Sequence, residues 1–197
     1  MDYKILNKIP EKNLEFKSTT SKKWKHDLLN FFKDKTTGNC LEIGTNLGWT
    51  SLALSSIFNQ VYTIEQNKTI LSRAKSHCKT ANNIEFIEGD AYSDFTYMSL
   101  PNCFNLVVID CVHTYEAVIN DINRALSFKN PDSPIYIAFD DYSHPSSKGV
   151  KEAIDYSIKG GLKFETHIGE KEGFKVNRLD NSYFCLTGPE GIILSYE

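Results

Sequence analysis

The sequence predicts an α/β protein: a mostly parallel sheet covered by helices on both faces and closed by antiparallel strands. Two observations predict it. Short apolar runs of strand length alternate with segments of helical period as far as Ile158. The last forty or so residues then change character, with strand-like runs separated by turn residues and no helical pattern.

The elements follow in order. Thr20 or Ser21 can cap a helix whose Trp24, Leu28, Leu29 and Phe32 share one apolar stripe. The first strand is Cys40–Ile43, followed by a short helix over Thr50–Phe58. Val61–Ile64 is the second strand and Lys68–Lys79 the next helix. Ile84–Ile87 and Leu106–Ile109 are the third and fourth strands. Tyr115–Phe128 carries Val118, Ile119, Ile122, Ala125 and Leu126 at helical spacing, and Asn130-Pro131 stops it. Ile135–Phe139 is the fifth strand. A helix from about Gly149 to Ile158 ends at Gly160-Gly161. Phe164–Ile168, Tyr183–Thr187 and Ile192–Tyr196 close the chain, and Gly188-Pro189-Glu190-Gly191 is placed to turn the last two into a hairpin.

Composition narrows the function classes. The 197 residues are 41% hydrophobic and 24% charged, with a net charge of −3. That length fits one domain of about 100–200 residues. The weak negative charge gives no overall pull toward DNA or an anionic membrane. No run approaches the roughly 20 apolar residues of a membrane helix. The start, MDYKILNKIPEKN, lacks the apolar core of a signal peptide. Five scattered cysteines without a CxxC pair indicate neither a zinc knuckle nor a disulfide framework, so a reducing cytoplasm is the expected location. The first 37 residues hold nine lysines against five acids, a solvated helix face or a basic arm toward substrate.

Ligands of open α/β sheets sit beyond the carboxyl ends of the strands. The first strand ends in Glu42-Ile43-Gly44-Thr45-Asn46-Leu47-Gly48-Trp49-Thr50. Gly44 and Gly48 permit a sharp turn and close approach of a ligand. The GxxxG spacing is not the GxGxxG of a dinucleotide cradle, which disfavours an NAD enzyme. Glu65, with Gln66 beside it, ends the second strand and can accept hydrogen bonds from ribose hydroxyls. Asp90-Ala91 follows the third, where Asp90 can accept from an adenine amino group.

This set resembles the cofactor site of class I S-adenosylmethionine-dependent methyltransferases. The resemblance implies a Rossmann-like sheet of seven strands, mostly parallel, with an antiparallel hairpin at the end. It implies a single methyltransferase domain over 1–197, with 1–37 as a helical lid and 38–197 as the catalytic core. It places Glu42, Gly44, Thr45, Asn46 and Gly48 around the methionine part of the cofactor, Thr50 near its carboxylate, Glu65 and Gln66 at the ribose and Asp90-Ala91 at the adenine. Trp49 stands where similar sequences usually carry Tyr.

Beyond the fourth strand comes Asp110-Cys111-Val112-His113-Thr114-Tyr115, and beyond the fifth Asp140-Asp141-Tyr142. Three carboxylates at neighbouring strand ends repel one another unless a cation lies between them. All-oxygen donors favour a hard ion such as Mg²⁺. Asp110, Asp140 and Asp141 are therefore candidate metal ligands. His113, three residues past Asp110, is a candidate general base, so Asp110 and His113 are the catalytic candidates, and Asp110 is also a candidate cofactor-binding residue because many cofactor sites end the fourth strand with an acid. The pattern Asp110-x-x-His113 with Asp140-Asp141 resembles metal-dependent small-molecule O-methyltransferases of the catechol and caffeoyl-coenzyme A type. In the catechol type a Lys stands at the position of His113, and Asn at that of Asp141. His113-x-Tyr115-Glu116 is closer to the macrocin and sugar O-methyltransferases and the related D-x-x-H-x-Y-E family.

The resemblance implies methyl transfer to a hydroxyl of a small molecule, such as a sugar or a catechol or other vicinal diol. A metal-free methyltransferase using His113 on RNA or protein stays open, as does a non-catalytic S-adenosylmethionine-binding module. So little chain precedes the first strand that the lid is small, or a second subunit completes it in a homodimer. Asp121 and Arg124 read as the polar side of a helix, Trp24 as core or lid, and Cys111 as a packing residue.

Overall fold

The computed structural model describes residues 3–9, 20–35, 37–177 and 183–197. Much of the Lys-rich opening segment, residues 10–19, lies outside them, as do residues 1, 2 and 36 of the expected lid.

A 3₁₀ turn over Tyr3–Lys8 precedes helix α1 (Lys22–Phe32). The main chain of elements is β1 (Asn39–Ile43), α2 (Trp49–Leu54), β2 (Gln60–Glu65), α3 (Lys68–His77), β3 (Ile84–Glu88), α4 (Asp94–Tyr97), β4 (Leu106–Ile109), α5 (Tyr115–Ser127), β5 (Ile135–Phe139) and α6 (Lys148–Lys159). Strands β6 (Lys163–Ile168), β7 (Lys175–Asn177), β8 (Tyr183–Cys185) and β9 (Gly191–Tyr196) complete it.

Seven strands form the main sheet in the order β3-β2-β1-β4-β5-β9-β6. Strands β1 to β5 pair in parallel, and β9 runs antiparallel between β5 and β6. This is the expected Rossmann-like architecture. The chain winds outward through β1, β2 and β3, then returns to place β4 on the other side of β1. The reversal opens a crevice between β1 and β4, where open α/β sheets bind ligands.

Alternation along the central strands fills both faces. Leu106 and Val108 of β4 pack with Cys40, Val61 and Ala138 against Trp24, Leu28 and Phe32 of α1. Val107 and Ile109 point the other way, with Leu41, Ile43 and Phe139, onto Val118 and Ile122 of α5 and Val150 and Ile154 of α6. Each such fully buried Leu, Ile or Phe contributes roughly 1.5–3 kcal/mol relative to exposure. Trp24 is core, not lid. It is fully buried, and its indole N–H donates to Phe139 O at 3.2 Å. Ser21, one of the two expected caps, closes α1 by accepting from Trp24 N at 3.0 Å.

The chain closes on an antiparallel pair as expected, but the pair is β6 and β9, and the last two runs do not form a hairpin with each other. β8 pairs with β7 in a separate two-stranded sheet, and β9 leaves it to enter the main sheet. The cause sits in the turn itself. Glu190 is buried, and its carboxylate accepts from Ser21 N at 2.8 Å and from Glu170 N at 2.9 Å. Those bonds tie the turn to the start of α1 and the end of β6, so the next residues run between β5 and β6. A Cβ on Gly191 would stand 2.4 Å from Phe139 O, so only glycine admits the chain there.

Asp121 does not sit on the polar side of its helix. It lies on the buried side of α5, with no exposed surface and no hydrogen-bond partner among the described residues for either oxygen. Arg124, one turn on, reaches the surface by lying over the Tyr97 ring at 4.5 Å and pairing with Asp94. Burial pushes the Asp121 carboxyl up to about 7, which leaves it largely protonated in mildly acidic solution.

Candidate active site

The loop after β1 is built by left-handed backbone. Gly44 has φ 102°, Asn46 46° and Gly48 78°. Gly44 is glycine for a second reason: a Cβ there would lie 2.0 Å from Asp110 O at the end of β4. Backbone N–H groups of Gly44 and Thr45 both donate to Ile64 O, so the loop folds over the end of β2.

Glu65, at the end of β2, accepts from Asn46 N at 3.0 Å and from Asn67 N at 2.9 Å. It fixes the loop and keeps further lone pairs toward the groove. Asp90 accepts from Tyr92 N at 2.9 Å and shapes the turn after β3. A groove runs along these strand ends. Gly44, Glu65, Gln66, Asp90 and Ala91 line it, together with Ile64, Gly89, Tyr92, Cys111 and Val112. Five expected cofactor residues therefore meet in one depression.

Glu42, Thr45, Asn46, Gly48, Thr50 and Asp110 do not line that groove. Glu42 and Thr45 are buried beneath the loop. The Glu42 carboxylate accepts from Thr63 Oγ1 at 2.6 Å and from Ser51 Oγ, and Thr45 Oγ1 lies 2.6 Å from Thr63 Oγ1. Burial pushes Glu42 up to about 7, against the pull of those hydroxyls. This network holds the loop onto β2 and α2 from below.

The second half of the site lies past β4 and β5. Registers Ile43 to Ile109 and Ile109 to Phe139 bring Gly44, Asp110 and Asp140 to one level of the sheet. His113 Nε2 stands 3.7 Å from Asp110 Oδ1 and 3.4 Å from Asp141 Oδ2. All three side chains are partly open, at 39%, 23% and 18% exposure. Thr114 caps α5 through Ala117 N at 3.3 Å, directly after His113. Gly149 lets α6 approach this corner: a Cβ there would be 2.5 Å from Tyr115 N and 3.0 Å from His113 O.

The expected trio of metal ligands is only partly assembled. Among the described residues, no three His, Cys, Asp or Glu side chains group closely enough to hold an ion. Asp110 and Asp141 approach the same nitrogen, whereas Asp140 is buried at 5% exposure. Side chains of consecutive extended residues point to opposite sides. The left-handed backbone at Asp141, with φ 58°, lets its carboxylate reach His113. The pair Asp110 and Asp141 is a hard oxygen donor set. It suits a Mg²⁺-like ion that keeps water or substrate oxygens in the rest of its shell.

A family model for a methyltransferase domain matches residues 41–142, which run from β1 through the second acid of the site. The chain belongs to that methyltransferase family. Solved structures share the methyltransferase's fold. The O-methyltransferase from Bacillus cereus, in complex with SAH, has a TM-score of 0.69 at 16% identity, covering 99% of this chain and 91% of that one. TomG from Streptomyces achromogenes, an O-methyltransferase involved in tomaymycin synthesis and solved with SAM, has a TM-score of 0.66 at 18% identity, covering 99% and 90%. Fibrillarin from Aeropyrum pernix, with bound S-adenosyl-L-methionine, reaches 0.54 at 18% identity, covering 79% and 65%. At these identities the likeness is one of fold. No curated protein matches the methyltransferase by sequence.

Sequence reasoning missed several residues of the methyltransferase's site. Tyr92 and Val112 wall the groove and stay 45% and 40% exposed. Large apolar residues directly after strand ends were the available signal. Cys111 lines the groove, and burial pushes its thiol up to about 11, so it stays protonated and packs, as expected. No helix among the described residues is long and apolar enough to cross a membrane.

Proposed function

We propose that this methyltransferase transfers the methyl group of S-adenosylmethionine to a hydroxyl of a small molecule such as a sugar, a catechol or another vicinal diol. The observation that carries the reading is His113 Nε2 standing between Asp110 and Asp141, next to the groove lined by Glu65 and Asp90. Bound in that groove, the cofactor supplies an activated methyl on a sulfonium, so the protein has no covalent intermediate to form. Glu65 suits the ribose hydroxyls, and Asp90 suits the adenine amino group.

The chain's own residues supply the acceptor's activation. A hydroxyl is a weak nucleophile until its proton is removed. His113 Nε2 takes that proton as the oxygen closes on the methyl carbon, and the proton arrives between two carboxylates. On transfer the carbon–sulfur electron pair would return to the cofactor's sulfur, which would depart as a neutral thioether. Positioning the oxygen in line with the methyl supplies much of the remaining advantage.

A divalent cation such as Mg²⁺ fits this reading, held by Asp110 and Asp141, where it would acidify a chelated diol. Asp140, buried, is the least suited of the three acids to reach it. The test is calorimetric titration with S-adenosylhomocysteine, followed by methyl transfer to a panel of sugars and catechols. Binding with turnover on a hydroxylated acceptor supports the reading. Binding without turnover on any acceptor favours a non-catalytic cofactor-binding module.

A further inference from the structure

Lys25 is a charged side chain with no exposed surface. Its ammonium donates to Thr20 O at 2.6 Å and to Thr20 Oγ1. Thr20 Oγ1 in turn lies 3.2 Å from Thr50 Oγ1, two residues past the GxxxG turn. Thr20 and Thr50 are themselves buried. The ammonium's field also reaches Glu42 under the same loop. Lys25 of α1, Thr20 just before that helix and Thr50 of α2 thus bring a cation and a hydroxyl pair together.

The bonding has a direction. An ammonium only donates, so Thr20 Oγ1 accepts from it. The two threonine hydroxyls hold two protons and share one contact. Whichever of them donates across that contact, one hydroxyl proton is left for an outside acceptor. The polarity of the cluster therefore suits an anion.

The resemblance, which sets Thr50 near the cofactor's carboxylate, suggests which anion. A sulfonium sulfur bears three arms. On the reading above, the nucleoside arm lies toward Glu65 and Asp90, and the methyl faces His113 beyond β4. The amino-acid arm is left the side of the loop where Thr50 and Thr20 stand. We propose that Lys25 is a positioning residue for the cofactor's methionine carboxylate, acting through the Thr20–Thr50 hydroxyl pair. The inference rests on the cofactor reading and deepens it.

The test compares two ligands by calorimetry. S-adenosylhomocysteine carries the carboxylate, and methylthioadenosine has the same nucleoside and thioether without it. Lys25→Met should weaken S-adenosylhomocysteine by at least about tenfold, the scale of one charge-assisted contact. Methylthioadenosine should stay within about twofold. Thr20→Val, which keeps the ammonium and its bond to Thr20 O, should show the same selective loss in smaller measure. It carries the test alone if Lys25→Met does not fold. Equal weakening of both ligands, or of neither, overturns the inference and makes Lys25 structural. Failure of the unaltered protein to bind S-adenosylhomocysteine overturns the cofactor reading itself.

Discussion

Gly44 packs directly against the carbonyl of Asp110, so that a Cβ on residue 44 would lie 2.0 Å from that oxygen. The contact joins the two strand ends that border the crevice. It couples the loop expected to hold cofactor to the residue that faces His113. Gly44→Ala should therefore do two things. Its φ of 102° costs an L residue about 1–3 kcal/mol in stability. Separating β1 and β4 at the crevice should also weaken S-adenosylhomocysteine binding by more than tenfold. Thermal melting and calorimetry on the same variant check both. Unchanged affinity would show that the groove does not depend on this contact.

Stability should fall as pH rises from about 4 to about 7. Asp121 is raised to about 7 when folded and returns to its ordinary range near 4 when unfolded. Between those values the folded state holds the proton and the unfolded state has lost it. The contribution is present at low pH and lost as pH climbs through the folded value. Glu42, also raised to about 7, acts in the same direction. Asp121→Asn should therefore flatten the slope without abolishing it. Urea unfolding at several pH values between 5 and 8 measures this. An unchanged slope would mean that the Asp121 carboxylate is solvated in solution.

Metal dependence is a separate question from proton transfer. If Asp110 and Asp141 hold a divalent ion, excess chelator should lower turnover, and Mg²⁺ should restore it. Asp141→Asn should raise the Mg²⁺ concentration needed for half-maximal activity by tenfold or more. Undiminished turnover in chelator would remove the ion and leave His113 acting alone.

Much of this was legible in the sequence because it is periodic or local. The five parallel strands read as apolar runs because both faces of each are covered, as Leu106 to Ile109 illustrate. The residues after each strand identified Gly44, Glu65, Asp90, Asp110 and His113, since the sheet fixes where strand ends meet. What escaped depends on distant pairing. Glu190 is a turn residue by sequence, yet its bonds to Ser21 and Glu170 redirect β9 away from β8. Asp121 falls on a charged stretch of α5 and is nevertheless buried. Consecutive Asp140 and Asp141 read as one acidic pair, and only the backbone turn at Asp141 separates them.

The most direct test of the account is the rate of methyl transfer by the His113→Ala enzyme, measured with saturating S-adenosylmethionine and an acceptor found in the sugar and catechol panel. The account predicts a loss of about 10²–10⁴-fold, the usual range for removing a general base, with S-adenosylhomocysteine affinity kept within about twofold. Transfer at the unaltered rate would contradict it, because proton removal would then occur somewhere other than between Asp110 and Asp141.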